Sequence, residues 1–212
     1  MATNSALAKS VLRGIQENLQ ALSFCKKRGG GFYRELGKDT EGYVGLNLAT
    51  RLPNNRIGIS PIVGVSYAPI EDRIQKLCTT SPFLNGATLT TAVGYLTPEK
   101  RFLQWVFDPA LGDIVSSEIA KIVRSIEQYG LPFMQEHTSL ESIITELEAT
   151  RYTVNDLRRY RLPVAYLLAG KRDEALKLVG QELEAMKGRT DPAATQYRDF
   201  ARAVREGRVA AP

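Results

Sequence analysis

Apolar residues recur first at helical spacing, then at strand spacing, then at helical spacing again, and these changes of period organise the chain. Leu12, Ile15, Leu19 and Leu22 predict an amphipathic helix over 5–23, with Asn4 or Ser5 as its N-cap. Phe24 follows where that helix stops. Gly29, Gly30 and Gly31 then form a turn that admits Phe32 and Tyr33 to a sheet. Two alternating runs come next, Tyr43 to Leu52 (through Val44, Leu46 and Leu48) and Arg56 to Tyr67 (through Ile57, Ile59, Val63 and Val65). Pro53, Asn54 and Asn55 between them supply turn chemistry, so the two runs predict a hairpin. Pro61 lacks an amide hydrogen and places its strand at an edge or a bulge.

A second hairpin is predicted from Ala87 to Leu96, turning at Thr97 to Lys100 and returning over Arg101 to Phe107 with Leu103, Trp105 and Phe107 aligned. Between the hairpins, Pro69 to Leu77 reads as a short helix and Thr79 to Gly86 as a loop. From Asp108 and Pro109, a cap followed by a first-turn proline, the period is helical. Ile114, Ile119, Ile122, Val123 and Ile126 form one stripe, closed by Gly130 and Pro132. Thr138 to Glu141 fits a capping box for a helix with Leu140, Ile143, Ile144 and Leu147 inward. A helix from Thr153 or Asp156 reaches Ala169 and breaks at Gly170; Asp173 to Lys187 is its partner, and Asp191-Pro192 caps a last helix. Leu162, Tyr166, Gly170 and Ala175 resemble a tetratricopeptide hairpin in spacing, but no second copy follows, so the segment reads as one antiparallel pair.

The fold class expected from these elements is α+β. An antiparallel sheet of about five strands with an N-terminal helix occupies 1–110, and a helical extension occupies 111–212. The chain of 212 residues, 43% hydrophobic and 24% charged, has the make-up of an ordinary globular protein. It has no apolar run of 18 residues and no long apolar core after its first charges, so neither a membrane span nor a secretory signal is expected. Cys25 and Cys78 read as free thiols, and the expected location is cytoplasmic. The net charge of +5 lies in residues 1–110, where 13 Lys/Arg meet 8 Asp/Glu; residues 111–212 carry 15 of each. That excess permits nucleic-acid contact without requiring it.

Candidate chemistry is sparse. His137 is the one histidine, which excludes a two-histidine zinc site, and it reads as a loop residue without chemistry. Cys25 precedes Lys26, Lys27 and Arg28, a setting that favours a thiolate, but a cysteine at a helix end is more often packing. Arg28 and the three glycines invite a phosphate-loop reading; no Gly-Lys-Ser/Thr follows, and they lead into a strand. No cofactor and no metal are expected. Lys26, Lys27 and Arg28, with Arg158, Arg159 and Arg161 around Tyr160, are the candidate anion-binding residues of a nucleic-acid-associated protein. A solvated helix face with Tyr160 inward is the blander reading of the second cluster.

The opening third carries a pattern of a leucine helix, F-x-K-K, a loop and F-x-R-E. Its residues are Leu19, Leu22, Phe24, Lys26, Lys27, Phe32, Tyr33, Arg34 and Glu35. This pattern resembles a bacterial domain family, some members of which look like immunity proteins of contact-dependent toxin systems. The resemblance implies a non-enzymatic cytoplasmic protein that occludes a cognate toxin, of the nuclease type carried at a toxin's C-terminus. Against such a basic target the acidic helical residues Glu141, Glu146, Glu148, Glu182 and Glu184 are the expected partner-binding face.

Overall fold

The computed structural model describes residues 2–27, 30–77, 87–110, 114–149, 151 and 155–208. They form two compact units, Met1–Val65 with Thr90–Glu136, and Ser66–Leu89 with His137–Pro212. The architecture is α+β: an N-terminal helix, an antiparallel sheet, then helices.

In the first unit α1 (Ala2–Ala21) buries Ala8, Val11, Ile15 and Leu19. Leu12 and Leu22, expected inward with Ile15 and Leu19, are half-buried at the margin of the stripe that Ala8, Val11, Ile15 and Leu19 form. The helix ends through Ser23 at φ 65°, and the Phe24 N–H donates to Leu19 O at 3.0 Å, which turns the Phe24 ring fully inside.

Six strands follow: β1 (Cys25–Lys26), β2 (Phe32–Gly37), β3 (Thr40–Ala49), β4 (Ile57–Tyr67), β5 (Leu89–Ala92) and β6 (Trp105–Phe107). Their order is β1-β2-β3-β4-β5, with β6 also on β4. The first expected hairpin is present. Its turn is a short 3-10 segment, Pro53–Asn55, in which Asn54 and Asn55 take left-handed φ of 59° and 57°.

The second expected hairpin is a correction. β5 stops at Ala92, a 3-10 turn occupies Val93–Tyr95, and β6 pairs antiparallel with β4 instead, Ile57↔Phe107, Gly58↔Val106 and Ile59↔Trp105. Alternation in 101–107 specified which side chains face inward, not which strand they would join.

Two further boundaries differ from expectation. Asp108 and Pro109 do not open a helix; Asp108 Oδ1 accepts the Ala110 N–H at 2.9 Å in a local turn, and α3 spans Ile114–Ser125. Gly130 and Pro132 do not close the helical run. A π-turn at Ile126–Gly130 carries it into α4 (Leu131–Glu136), since an added residue in the turn absorbs the missing proline donor. Gly130 serves close approach: a Cβ there would lie 2.9 Å from Val63 Cγ1.

The second unit contains α2 (Ala68–Leu77), α5 (Leu140–Ala149), α6 (Asn155–Leu168), α7 (Arg172–Ala185) and α8 (Pro192–Arg205). Helix α6 is central and packs on α2, α5, α7 and α8. The α6–α7 pair turns at Gly170 with φ 75°, as read from sequence. The cap of α5 is shifted by one: Ser139 Oγ accepts the Ser142 N–H at 3.1 Å, and Ser142 Oγ accepts the Ser139 N–H at 3.3 Å. Asp191 caps α8 as expected, accepting the Ala194 N–H at 3.1 Å. Tyr160, Tyr197 and Phe200 close the helix junction with ring centroids 4.9–5.6 Å apart.

The units differ from the expected boundary at 110. Helices α3 and α4 belong with the first because α3 packs on α1 and α4 on β3, and α2 belongs with the second because it packs on α6.

Candidate functional site

Of the acidic residues expected to meet a partner, one is internal. Glu146 is 1% exposed, its Oε2 held by Arg151 Nη2 at 2.6 Å and 3.6 Å from His137 Nε2, so it is unavailable to any surface. The helical period that points Ile143 and Leu147 inward carries Glu146 in with them. Glu148 accepts a hydrogen bond from the Tyr166 hydroxyl at 2.7 Å, and burial together with that bond pushes the Tyr166 hydroxyl up to about 12. Glu184 is paired with Lys187 one helical turn on, and Glu182 is half-buried on α7. Glu141 stands exposed in the first turn of α5, where a carboxylate complements the helix dipole.

Of the basic residues, too, one is internal. Arg161 is completely buried and paired with Glu71, which removes it from any anion-binding surface. Arg158 donates through Nε to Leu147 O at 2.6 Å. Arg159 lies over the rings of Tyr160 and Tyr197 at 5.4 and 5.7 Å, and Tyr160 is buried as the solvated-face reading required. At the other cluster, Lys27 Nζ sits 2.5 Å from Glu41 Oε1 and 5.0 Å from the Tyr33 ring centroid, while Lys26 is exposed and Arg28 lies outside the described residues.

The glycine turn is used for packing. The Lys27 N–H donates to Gly31 O and the Gly30 N–H to Lys27 O, which closes the β1–β2 turn. A Cβ on Gly31 would meet the Tyr43 ring at 2.4 Å, so the glycine makes room for the cross-strand pair Tyr33–Tyr43, whose centroids are 5.3 Å apart. Cys25 is exposed on β1, and Cys78 lies outside the described residues. His137 is buried against Glu146, on no accessible surface. Among the described residues no group of three or more His, Cys, Asp or Glu side chains could hold a metal ion.

One surface feature escaped the sequence reading. Of the four exposed large hydrophobic residues among those described, three fall within 95–106: Tyr95 at 44%, Phe102 at 56% and Val106 at 43%. The segment is built, not loose. Gly94 O accepts the Arg101 N–H at 3.2 Å and the buried Thr97 hydroxyl at 2.9 Å, and the Lys100 N–H donates to Thr97 O at 3.0 Å. A Cβ on Gly94 would lie 2.3 Å from Arg101 O, so the approach requires glycine. Lys100 itself takes φ 45°. Isolated exposed apolar residues are ordinary, but a short ordered stretch carrying two exposed aromatics and Arg101 has the composition of a protein-binding epitope. The signal in the sequence was Phe102 between Arg101 and Leu103, out of phase with the inward alternation of Leu103, Trp105 and Phe107.

No protein-family model matches the chain, and neither a curated protein nor a solved structure matches it.

Proposed function

We propose that this chain is a binding protein without chemistry of its own, an immunity protein that neutralises a cognate toxin domain in the cytoplasm by occluding it stoichiometrically. The observation that carries the reading is the ordered apolar segment 95–106, where Phe102, Tyr95 and Val106 stand exposed on a backbone held by Gly94. Two further features support it. The helix–strand pattern of the opening third is used as packing, with Leu19, Phe24 and Phe32 buried. The lone histidine is enclosed in an ion-pair network, a poor position for a general base. Among the described residues no helix is long and apolar enough to cross a membrane.

Glu146 drops out of the expected acidic face, because it is internal. The nucleic-acid alternative also loses support, since Arg161 is inside and Arg158, Arg159 and Lys27 are engaged within the chain.

Growth rescue tests the proposal. The product of the neighbouring upstream gene is expressed with and without the chain, and the purified pair is run on gel filtration. Rescue with a co-eluting complex is expected; toxicity unchanged by the folded chain would contradict the reading.

A further inference from the structure

We infer that the free edge of β6 is a strand-addition site for an extended apolar segment of a protein partner, with a carboxylate of that segment meeting Lys100 and Arg101. The inference deepens the binding reading above, and its first test does not depend on that reading.

Topology supplies the first observation. β6 lies off the main strand path and, among the described residues, its strand partner is β4, through Ile57, Gly58 and Ile59, while α3 packs on it. Backbone groups along a strand point alternately to its two sides, so a strand paired on one side has an unfilled row on the other. Trp105, Val106 and Phe107 make no other backbone hydrogen bond among the described residues. Natural sheets blunt such edges with lysine, proline, bulges or very short strands. Here shortness is the protection on the strand itself, since its three residues are Trp, Val and Phe.

Side chains supply the second observation. Val106 points to the exposed side at 43%, while Phe107 points inward at 2%, and Phe102 stands 56% exposed on the approach. Main-chain pairing with an incoming strand gives affinity, and alternate apolar side chains give selectivity. A three-residue edge offers only about two main-chain bonds to an added strand. A partner that also covers Phe102 gains the apolar contact that those bonds lack.

Charge supplies the third. Lys100 and Arg101 are both exposed at the N-terminal approach to β6, beside Glu99, whose carboxylate already feels the charge of Arg101. Two cations against one acid leave that end net positive, so a carboxylate of the added segment is drawn there and sets the segment's direction.

The test is selection of a phage-displayed random-peptide library on the full chain. Enriched peptides are expected to alternate apolar residues and to carry Asp or Glu near one end. A synthesised winner is expected to slow amide exchange across 104–107 by at least ~tenfold. Val106→Lys and Phe102→Asp, both at exposed positions, are expected to weaken that peptide by at least ~tenfold with an unchanged circular dichroism spectrum. Arg101→Glu is expected to turn the selected charge basic. Equal enrichment on wild type and Val106→Lys, or protection elsewhere in the chain, would overturn the inference. So would a concentration-dependent dimer abolished by Val106→Lys, because the edge would then serve a second copy. A chain that selects such peptides yet does not bind the product of the neighbouring upstream gene keeps the strand-addition site and loses the immunity reading.

Discussion

Arg161 and Glu71, 90 residues apart in sequence, form a two-pronged ion pair inside the second unit, with Nε to Oε1 at 2.8 Å and Nη2 to Oε2 at 2.9 Å. The Thr88 hydroxyl donates to the same Oε1 at 2.8 Å and accepts the Tyr67 N–H at 2.8 Å. One carboxylate therefore ties α6 and α2 to the backbone on either side of the α2 segment. Removing one member leaves a charge enclosed without its partner. Arg161→Leu is expected to cost ~3–5 kcal/mol in urea unfolding, and Glu71→Leu with Arg161→Leu to recover much of that. A single variant within ~1 kcal/mol of wild type would show that the pair is not a structural tie.

The Glu146 carboxylate is shared by His137 and Arg151, and that role is structural in this account. His137→Ala is expected to lower stability by ~1–3 kcal/mol, as buried truncations do, while leaving toxin neutralisation stoichiometric. Cys25→Ser, at an exposed site, is expected to change neither. Lost protection in folded His137→Ala or Cys25→Ser protein would return those residues to chemistry.

Gly94 is expected to tolerate no side chain. Gly94→Ala pushes a methyl against Arg101 O and Leu103, so it should cost ~1–3 kcal/mol and displace the 95–106 segment. Amide exchange at Arg101 reads the loss directly, because that N–H donates to Gly94 O. Unchanged protection there would contradict the close approach.

The cap of α8 sets an acid limit. Hydrogen bonds from Arg189 and then from the Ala194 N–H hold the Asp191 carboxyl down to about 2, from an ordinary 3.8. A carboxyl depressed on folding contributes stability above its unfolded value and loses it as pH falls through the folded one. The α8 contribution is therefore full above about pH 4 and lost between about 4 and 2. Asp191→Asn, still a capping residue, should unfold with less pH dependence across that window. Equal pH dependence in both proteins would refute the assignment.

These elements also show how far the sequence reads. The N-terminal helix, the 43–67 hairpin, the α6–α7 turn at Gly170 and the Asp191 cap each depend on neighbours within a few residues, and all were legible. The β6–β4 pairing was not, because period-two alternation in Leu103, Trp105 and Phe107 selects a face and leaves the partner strand open. Gly130 and Pro132 looked like a stop; the packing of Gly130 on Val63 is a tertiary fact that outweighs local propensity. Arg161 stood in an Arg-Arg-Tyr-Arg run that reads as a surface cluster, and only the fold supplies Glu71 to receive it. Glu146 is the mirror case: an acid counted as surface lies 1% exposed because His137 and Arg151 converge on it.

Titration of purified toxin activity tests the account most directly. A fixed amount of the product of the neighbouring upstream gene, taken as the toxin, is assayed against increasing wild-type chain and against Phe102→Asp. Stoichiometric occlusion predicts a linear fall to zero at one chain per toxin, and an endpoint displaced to large excess in the Phe102→Asp protein. Inactivation by substoichiometric chain, or an identical endpoint for wild type and Phe102→Asp, would contradict occlusion through the 95–106 segment.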